Sequence, residues 1–205
     1  MELPECRKSG WLGRMETNRL EAFSDGVLAI IITIMVLEMK VPHGADFPAL
    51  KPLLPVFLSY VLSFIYVGIY WNNHHHLLKA CRRVTGGIMW ANLHLLFWLS
   101  LLPFATGWMG ENHVAPLPTA LYGAVLLLAA LAYVILQKLI IADLGRDSKL
   151  ARSIGGDFKG WLSFTCYALA IPAAFWNPWV STAIFGLVAV IWFIPDRRIE
   201  RVVEE

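Results

Sequence analysis

The sequence is poor in the residues and motifs that identify enzymes and metal-binding proteins. It has 3 cysteines in 205 residues and no CxxC or other paired spacing, so neither a disulfide nor a cysteine metal site is expected. It also has no GxxxxGK[ST] phosphate loop, HExxH zinc motif, GxSxG nucleophile motif or TVGYG filter. The links between its apolar segments are short. We therefore expect neither an enzyme nor a bound cofactor.

Charged residues are also scarce. They make up 16% of the chain, hydrophobic residues make up 58%, and the mean hydropathy is +0.59, which excludes an ordinary soluble domain. Six apolar runs are long enough to cross about 30 Å of hydrocarbon. We predict an all-α polytopic membrane protein with six transmembrane helices in a domain over 18–195, an N-terminal segment 1–17 and a tail 196–205. The predicted spans are 18–39, 53–77, 86–109, 115–140, 158–176 and 178–195.

Positive charge is distributed unevenly between the links. Of the 17 Lys and Arg residues, all but Lys40 and Lys51 lie on the side of the predicted termini. Because Lys and Arg near span ends are retained in the cytoplasm, both termini are predicted to be cytoplasmic. This topology accounts for the pI of about 8.5, so the basic excess gives no reason to expect nucleic-acid binding.

The first predicted span carries polar side chains at the start of the stretch RLEAFSDGVLAIIITIMVLEMK, residues 19–40. Asp25 lies about 10 Å into this helix if the span begins near Asn18. A charged side chain is costly in a bilayer unless it faces protein or water, so Asp25 needs a partner. A structural polar clamp is one interpretation, and direct ion binding or a proton relay is the other. The candidate partners are Arg19, Ser24, Trp71, Asn72, Asn73, His74, His75, His76 and Asn92.

The other side of the same helix carries an apolar stripe. At about 100° per residue, Asp25 points about 140° away from Ile30, whereas Gly26, Thr33, Ile34 and Leu37 fall within about 60° of Ile30. We expect Asp25 to pack against the second and third spans, and the stripe to face a symmetry axis or another subunit. Any apolar span has such a stripe, and Thr in a membrane helix commonly bonds its own backbone, so periodicity alone assigns it no function.

The three consecutive histidines, His74 to His76, suggest a metal site, but their spacing argues against one. Neighbouring side chains on a helix diverge by about 100° and cannot converge on one ion, whereas an i, i+4 pair can. No metal site is therefore predicted.

Three separate segments carry a resemblance to a known family. The residues Arg19-x-x-x-Phe23-Ser24-Asp25 resemble the RxxxFSD signature of the transmembrane protein 175 family of potassium channels. The pair Trp71-x-x-His74 and the stretch NLHLLFWLSLLPFATGW in the third span are similar to the family's corresponding segments. The motifs are co-linear, and the six-span layout covers the whole chain.

The resemblance implies a modestly potassium-selective cation channel without a re-entrant filter, in which the first helix of each subunit lines the pore. A single repeat resembles the prokaryotic form, which implies a homotetramer in the bacterial inner (plasma) membrane that conducts K⁺ and other monovalent cations. A secondary ion transporter and a non-conducting scaffold are the alternatives. The implied gate is Ile30, Thr33 and Leu37, and the implied clamp is Arg19, Phe23, Ser24, Asp25, Trp71, His74 and Asn92.

Overall fold

A computed structural model of the chain describes residues 6–145, 148 and 158–193, with side chains from Thr17 onward. Within these ranges the chain is helical and contains no strand, which confirms the all-α prediction. Residues Lys51–Leu53 form a 3₁₀ turn. The helices are α1 (Cys6–Leu37), α2 (Phe47–Leu50), α3 (Leu54–Ala80), α4 (Gly86–Ser100), α5 (Leu102–Glu111), α6 (Pro116–Leu144), α7 (Phe158–Trp176) and α8 (Pro178–Phe193).

Several helical segments are long and apolar enough to cross a membrane. They are Thr17–Leu37, Phe47–Ala80, Gly86–Glu111 and Pro116–Leu144. Helices α7 and α8 occupy the positions of the fifth and sixth predicted spans, and α8 is a shorter apolar helix. The count of six spans stays a prediction. Helix α1 begins inside the predicted segment 1–17, and the predicted tail 196–205 lies outside the described residues.

The third predicted span is divided into two helices. Helix α4 begins after Thr85, whose side chain accepts a hydrogen bond from the backbone N–H of Ile88 at 3.3 Å. It ends at Ser100, and α5 starts at Leu102, one residue before Pro103. Proline has no backbone N–H and its ring crowds the preceding turn, which breaks the regular hydrogen-bond ladder. The sequence contained the proline, but it did not show whether the helix would bend or divide.

The helices pack around α6, which contacts α4, α5, α7 and α8. Inside this bundle, Ser63 of α3 lies 2.7 Å from the hydroxyl of Thr106 on α5 and 3.0 Å from that of Tyr122 on α6. Helices α3 and α5 approach closely at Gly110, where a Cβ atom would lie 2.7 Å from the Cα of Val56. Helix α1 lies at the edge of the bundle, against α3, α4 and α5.

Candidate functional site

Helix α1 has a buried face and an exposed face. The buried residues recur every three or four positions, as expected for one side of a helix that packs against α3, α4 and α5. The exposed residues follow the same spacing on the other side. The buried set is Thr17, Leu20, Ser24, Leu28, Ile31 and Met35, and the exposed set includes Arg19, Phe23, Gly26, Ile30, Thr33 and Leu37.

A chain of buried hydrogen bonds fixes α1 against α4 and α3. Ser24 donates its hydroxyl proton to the backbone carbonyl of Leu20 at 2.8 Å, so its oxygen accepts from the Asn92 amide at 3.0 Å. With the Asn92 amide nitrogen turned toward Ser24, its oxygen lies 2.6 Å from Nε2 of His74. This order of donors places the His74 proton on Nε2. Each of the three side chains thus depends on the next for its orientation.

Asp25 has its partner on α3. The indole Nε1 of Trp71 donates to Oδ1 of Asp25 at 3.0 Å. Trp71 is one of the partners predicted for Asp25, and among those candidates it is the one that the described structure shows hydrogen-bonded to Asp25. This contact joins α1 to α3 at the level where Ser24 is joined to Asn92.

A second acidic residue of α1 pairs with the histidine run, and sequence reasoning missed it. Glu21 Oε1 accepts a short hydrogen bond from Nδ1 of His75, and the His75 ring stacks on Trp71 with centroids 6.0 Å apart. Glu21 lies four residues before Asp25, and His75 lies four residues after Trp71. Because residues four apart share a helix face, these two spacings were the signal that could have found the pair.

The structure separates Arg19 and Phe23 from the other residues of the implied clamp. Both lie on the exposed side of α1, and both line an open groove between α1 and the start of α4. Among the side chains that the structure describes, from Thr17 onward, none forms a hydrogen bond or ion pair with Arg19. The other five residues of the implied clamp make the hydrogen bonds described above and form the polar clamp of the structure: Ser24, Asp25, Trp71, His74 and Asn92.

The residues of the implied gate lie together on the exposed face of α1. Ile30 is 58% exposed and Leu37 is 80% exposed. Thr33 donates its hydroxyl proton to the carbonyl of Ile30 at 2.8 Å, as expected for Thr in a membrane helix. Ile34 is also exposed and belongs to this side of the helix. Nothing else in the described chain covers this face.

The described residues contain no group of three or more His, Cys, Asp or Glu side chains placed to hold a metal ion. His74 and His75 form hydrogen bonds to residues of different helices, Asn92 on α4 and Glu21 on α1. Their divergence is the geometry expected of neighbours on one helix.

Comparison with known proteins finds relatives that match the segment carrying these residues. Residues 19–103, which run from Arg19 to the first turn of α5, match the family model described as "Endosomal/lysosomal potassium channel TMEM175". Over its full length, a potassium channel from a Chryseobacterium species is 56% identical to this chain across 191 residues, which are 93% of the chain. The chain belongs to the TMEM175 family.

Further TMEM175 relatives agree in sequence and in fold. A potassium channel from Streptomyces collinus is 33% identical over 193 residues, which cover 86% of this chain and 91% of the relative. The crystal structure of a lysosomal potassium-selective channel TMEM175 homolog from Chamaesiphon minutus superposes with a TM-score of 0.77 at 26% identity. The superposition covers 89% of this chain and 98% of the Chamaesiphon minutus chain. The family and these relatives are channels rather than enzymes, which confirms the prediction that the chain is not an enzyme.

Proposed function

We propose that the protein is a potassium channel of the bacterial inner (plasma) membrane, modestly selective for K⁺ over Na⁺, whose pore is lined by α1 of each subunit. The observation that carries this proposal is the division of α1 into two faces. One face is tied to α3 and α4 by the polar clamp, and the other presents Ile30, Thr33 and Leu37 without a cover from the described chain. The names of the bacterial relatives support the ion.

The spacing of the exposed residues supports assembly around α1. The exposed positions of α1 also include Ala22, Ala29, Ile34 and Val36. Among them, the series Phe23, Gly26, Ile30, Thr33 and Leu37 advances alternately by three and four residues. This alternation has a period of about 3.5 residues, the spacing of helices that pack side by side around a common axis. A homotetramer with four α1 helices around the axis would cover these positions, which in a single subunit are open.

In such an assembly, Ile30 would form the gate. Four isoleucine side chains that converge on the axis make a narrow apolar ring, and a ring of this kind stops ions because water leaves it. Opening requires the four side chains to move apart. The ring favours K⁺ over Na⁺ modestly, because the hydration shell of K⁺ costs less to distort.

Thr33 is placed to assist a partly dehydrated ion one turn away from Ile30. Its hydroxyl proton is directed to the backbone carbonyl of Ile30, which leaves the oxygen lone pairs for a cation. Leu37 would extend the apolar lining by one further turn. The polar clamp then fixes the rotation of α1 about its own axis, so that these side chains and no others face the pore.

The proposed topology places both termini in the cytoplasm, in agreement with the positive charge on that side. The two clamp residues of α1, Ser24 and Asp25, lie near the cytoplasmic end of the helix, close to the start of the span at Thr17. The gate residues lie further along the helix, toward the opposite surface.

Reconstitution tests this function. The purified protein in liposomes, under opposed K⁺ and Na⁺ gradients, should give a passive current that reverses near the K⁺ equilibrium potential. The mass of the assembly in detergent should correspond to four chains. Flux that requires a second, coupled ion would instead identify a transporter, and the absence of flux from assembled protein would identify a scaffold.

A further inference from the structure

The exposed face of α1 is bordered by a different helix on each side. At one edge, Asp25 accepts the hydrogen bond of Trp71 on α3. At the other edge, Phe23 lines the open groove together with Met89 and Leu93 of α4. In an assembly with α1 around a common axis, the α3 edge and the α4 edge of one subunit face different neighbours. A ring of identical subunits then closes head to tail, with an α4 edge against an α3 edge at every contact.

Exposed aromatic side chains repeat along both edges. They are Phe57, Phe64 and Trp71 on α3, and Trp90 and Phe97 on α4. Within each helix these residues are seven apart, the spacing that keeps side chains on one side of helices that pack together. Helix α3 ends at Ala80 and α4 begins at Gly86 after a short link, so both ends lie at the same membrane surface. At about 1.5 Å per residue from those ends, the rings of α3 lie at about 14, 24 and 35 Å and those of α4 at about 6 and 17 Å. The two sets alternate in depth, as interdigitating side chains do.

A hydrogen-bond donor lies between the two aromatic residues of α4. The indole Nε1 of Trp98 donates to Nε2 of His94 at 2.9 Å, which places the proton of the His94 ring on Nδ1. No group in the described part of the chain accepts this second proton. His94 is exposed on the subunit surface, about 12 Å along α4 from Gly86, where lipid tails offer no acceptor. Another protein chain can supply one.

The matching group lies on the α3 edge. Asn72 is exposed on α3, and its amide forms no hydrogen bond within the described ranges. It lies eight residues before Ala80, and His94 lies eight residues after Gly86, so both side chains are about 12 Å from the same membrane surface. An amide oxygen accepts a hydrogen bond from an imidazole N–H, and such bonds between membrane helices stabilise their association.

We propose that α4 of one subunit packs against α3 of the next, with His94 Nδ1 donating to the side-chain oxygen of Asn72 in the neighbouring subunit. This inference rests on the assembly around α1 proposed above. The aromatic side chains of the two helices interleave on either side of the hydrogen bond. Each subunit contributes His94 to one contact and Asn72 to the other, so four identical contacts close the ring.

Cysteine crosslinking of the full-length protein in membranes tests this contact. Asn72→Cys and His94→Cys are introduced together, after the native cysteines have been replaced by serine, and a short bifunctional thiol reagent is added. Denaturing gels should show a ladder of crosslinked dimers, trimers and tetramers. Each single variant should remain monomeric, because a head-to-tail contact does not bring two copies of one residue together. The matched control combines His94→Cys with Leu187→Cys, an exposed position on α8, and should also remain monomeric.

The outcomes separate this contact from the proposed function. Crosslinked dimers of the His94→Cys single variant would indicate a two-fold contact and contradict the pairing. A double variant that has the native mass of four chains but gives no ladder would contradict the contact and leave the proposed channel in place. A native mass of one chain for the wild type would overturn the assembly itself.

A double-mutant cycle decides the question if the cysteine pair does not assemble. His94→Leu and Asn72→Leu should each weaken the association of subunits in detergent about threefold per contact, as expected for one interhelical hydrogen bond. The double variant should be no weaker than either single variant, because both changes remove the same bond. Losses that multiply in the double variant would show that the two side chains act separately and would contradict the pairing.

Discussion

The two faces of α1 are held in different ways, although they occupy the same turns of one helix. On the buried face, Ser24 and Asp25 are connected through side chains to Asn92 on α4 and Trp71 on α3. On the exposed face, the hydrogen bond of Thr33 returns to its own backbone, and the remaining groups are apolar. Polar contacts between helices fix one side, while the other side is left open for contacts outside the subunit.

This difference separates stability from function along a single element. Changes on the buried face should affect whether α1 is held in place, because each polar group there has a partner that would lose its hydrogen bond. Changes on the exposed face should leave the subunit folded and should alter ion conduction along the surface that the apolar stripe forms. The following predictions test whether the two faces can be separated in this way.

The largest effect is expected from Asn92→Leu. Leucine is close to asparagine in volume, but the change removes the hydrogen bonds to Ser24 and His74. It leaves the buried His74 ring without a hydrogen-bond partner, while Ser24 keeps its bond to the Leu20 carbonyl. Since interhelical hydrogen bonds in membranes contribute modestly, we expect a loss of about 1–3 kcal/mol in the free energy of unfolding. Denaturation monitored in detergent measures it. An unchanged stability would show that the buried chain of hydrogen bonds does not hold α1.

Asp25→Ala should have a smaller effect of the same kind. It removes the acceptor of the Trp71 indole, at a position that is less buried than Asn92. We expect a loss of about 1 kcal/mol and less assembled protein, with little change in ion preference of the fraction that assembles. Asp25→Asn keeps an acceptor oxygen and serves as the control. Stable tetramers of Asp25→Ala that lose only their selectivity would show that Asp25 acts on the ion rather than on the fold.

The smallest effect on stability is expected from Thr33→Val on the exposed face. Valine has nearly the same shape, and the lost hydroxyl bonds only the backbone of its own helix. The free energy of unfolding should change by less than about 0.5 kcal/mol, as for most exposed positions. The K⁺ conductance should nevertheless fall, because the oxygen proposed to assist the dehydrated ion is gone. Single-channel recording in bilayers, alongside the unfolding measurement, compares the two effects.

The division of α1 could be predicted from the sequence because helical periodicity is local. The same 100° step that places Ile30 opposite Asp25 also places Phe23 about 160° and Arg19 about 120° from Asp25. The family motif groups Arg19 and Phe23 with Ser24 and Asp25, but membership of a motif does not specify the direction of a side chain. The periodicity already indicated the separation that the structure describes.

Other features depend on contacts that the sequence does not encode locally. The sequence indicates how deep in the membrane the residues Trp71 to His76 lie. It does not indicate how α3 is rotated about its own axis, because this helix is apolar around most of its circumference. That rotation decides that Trp71 bonds Asp25, that His75 bonds Glu21 and that His74 bonds Asn92. The division between α4 and α5 likewise depends on how the bundle accommodates Pro103.

The most direct test of the central claim, that the exposed face of α1 forms the gate, is the reversal potential of Ile30→Asn under opposed K⁺ and Na⁺ gradients. Leu187→Asn on α8 is the matched control, since Leu187 is also exposed, at 57%, but lies on a helix that does not contact α1 closely. We predict that Ile30→Asn wets the apolar ring, raises the current and moves the reversal potential toward zero, while Leu187→Asn matches the wild type. A reversal potential and current unchanged in Ile30→Asn would remove this residue from the pore and contradict the account.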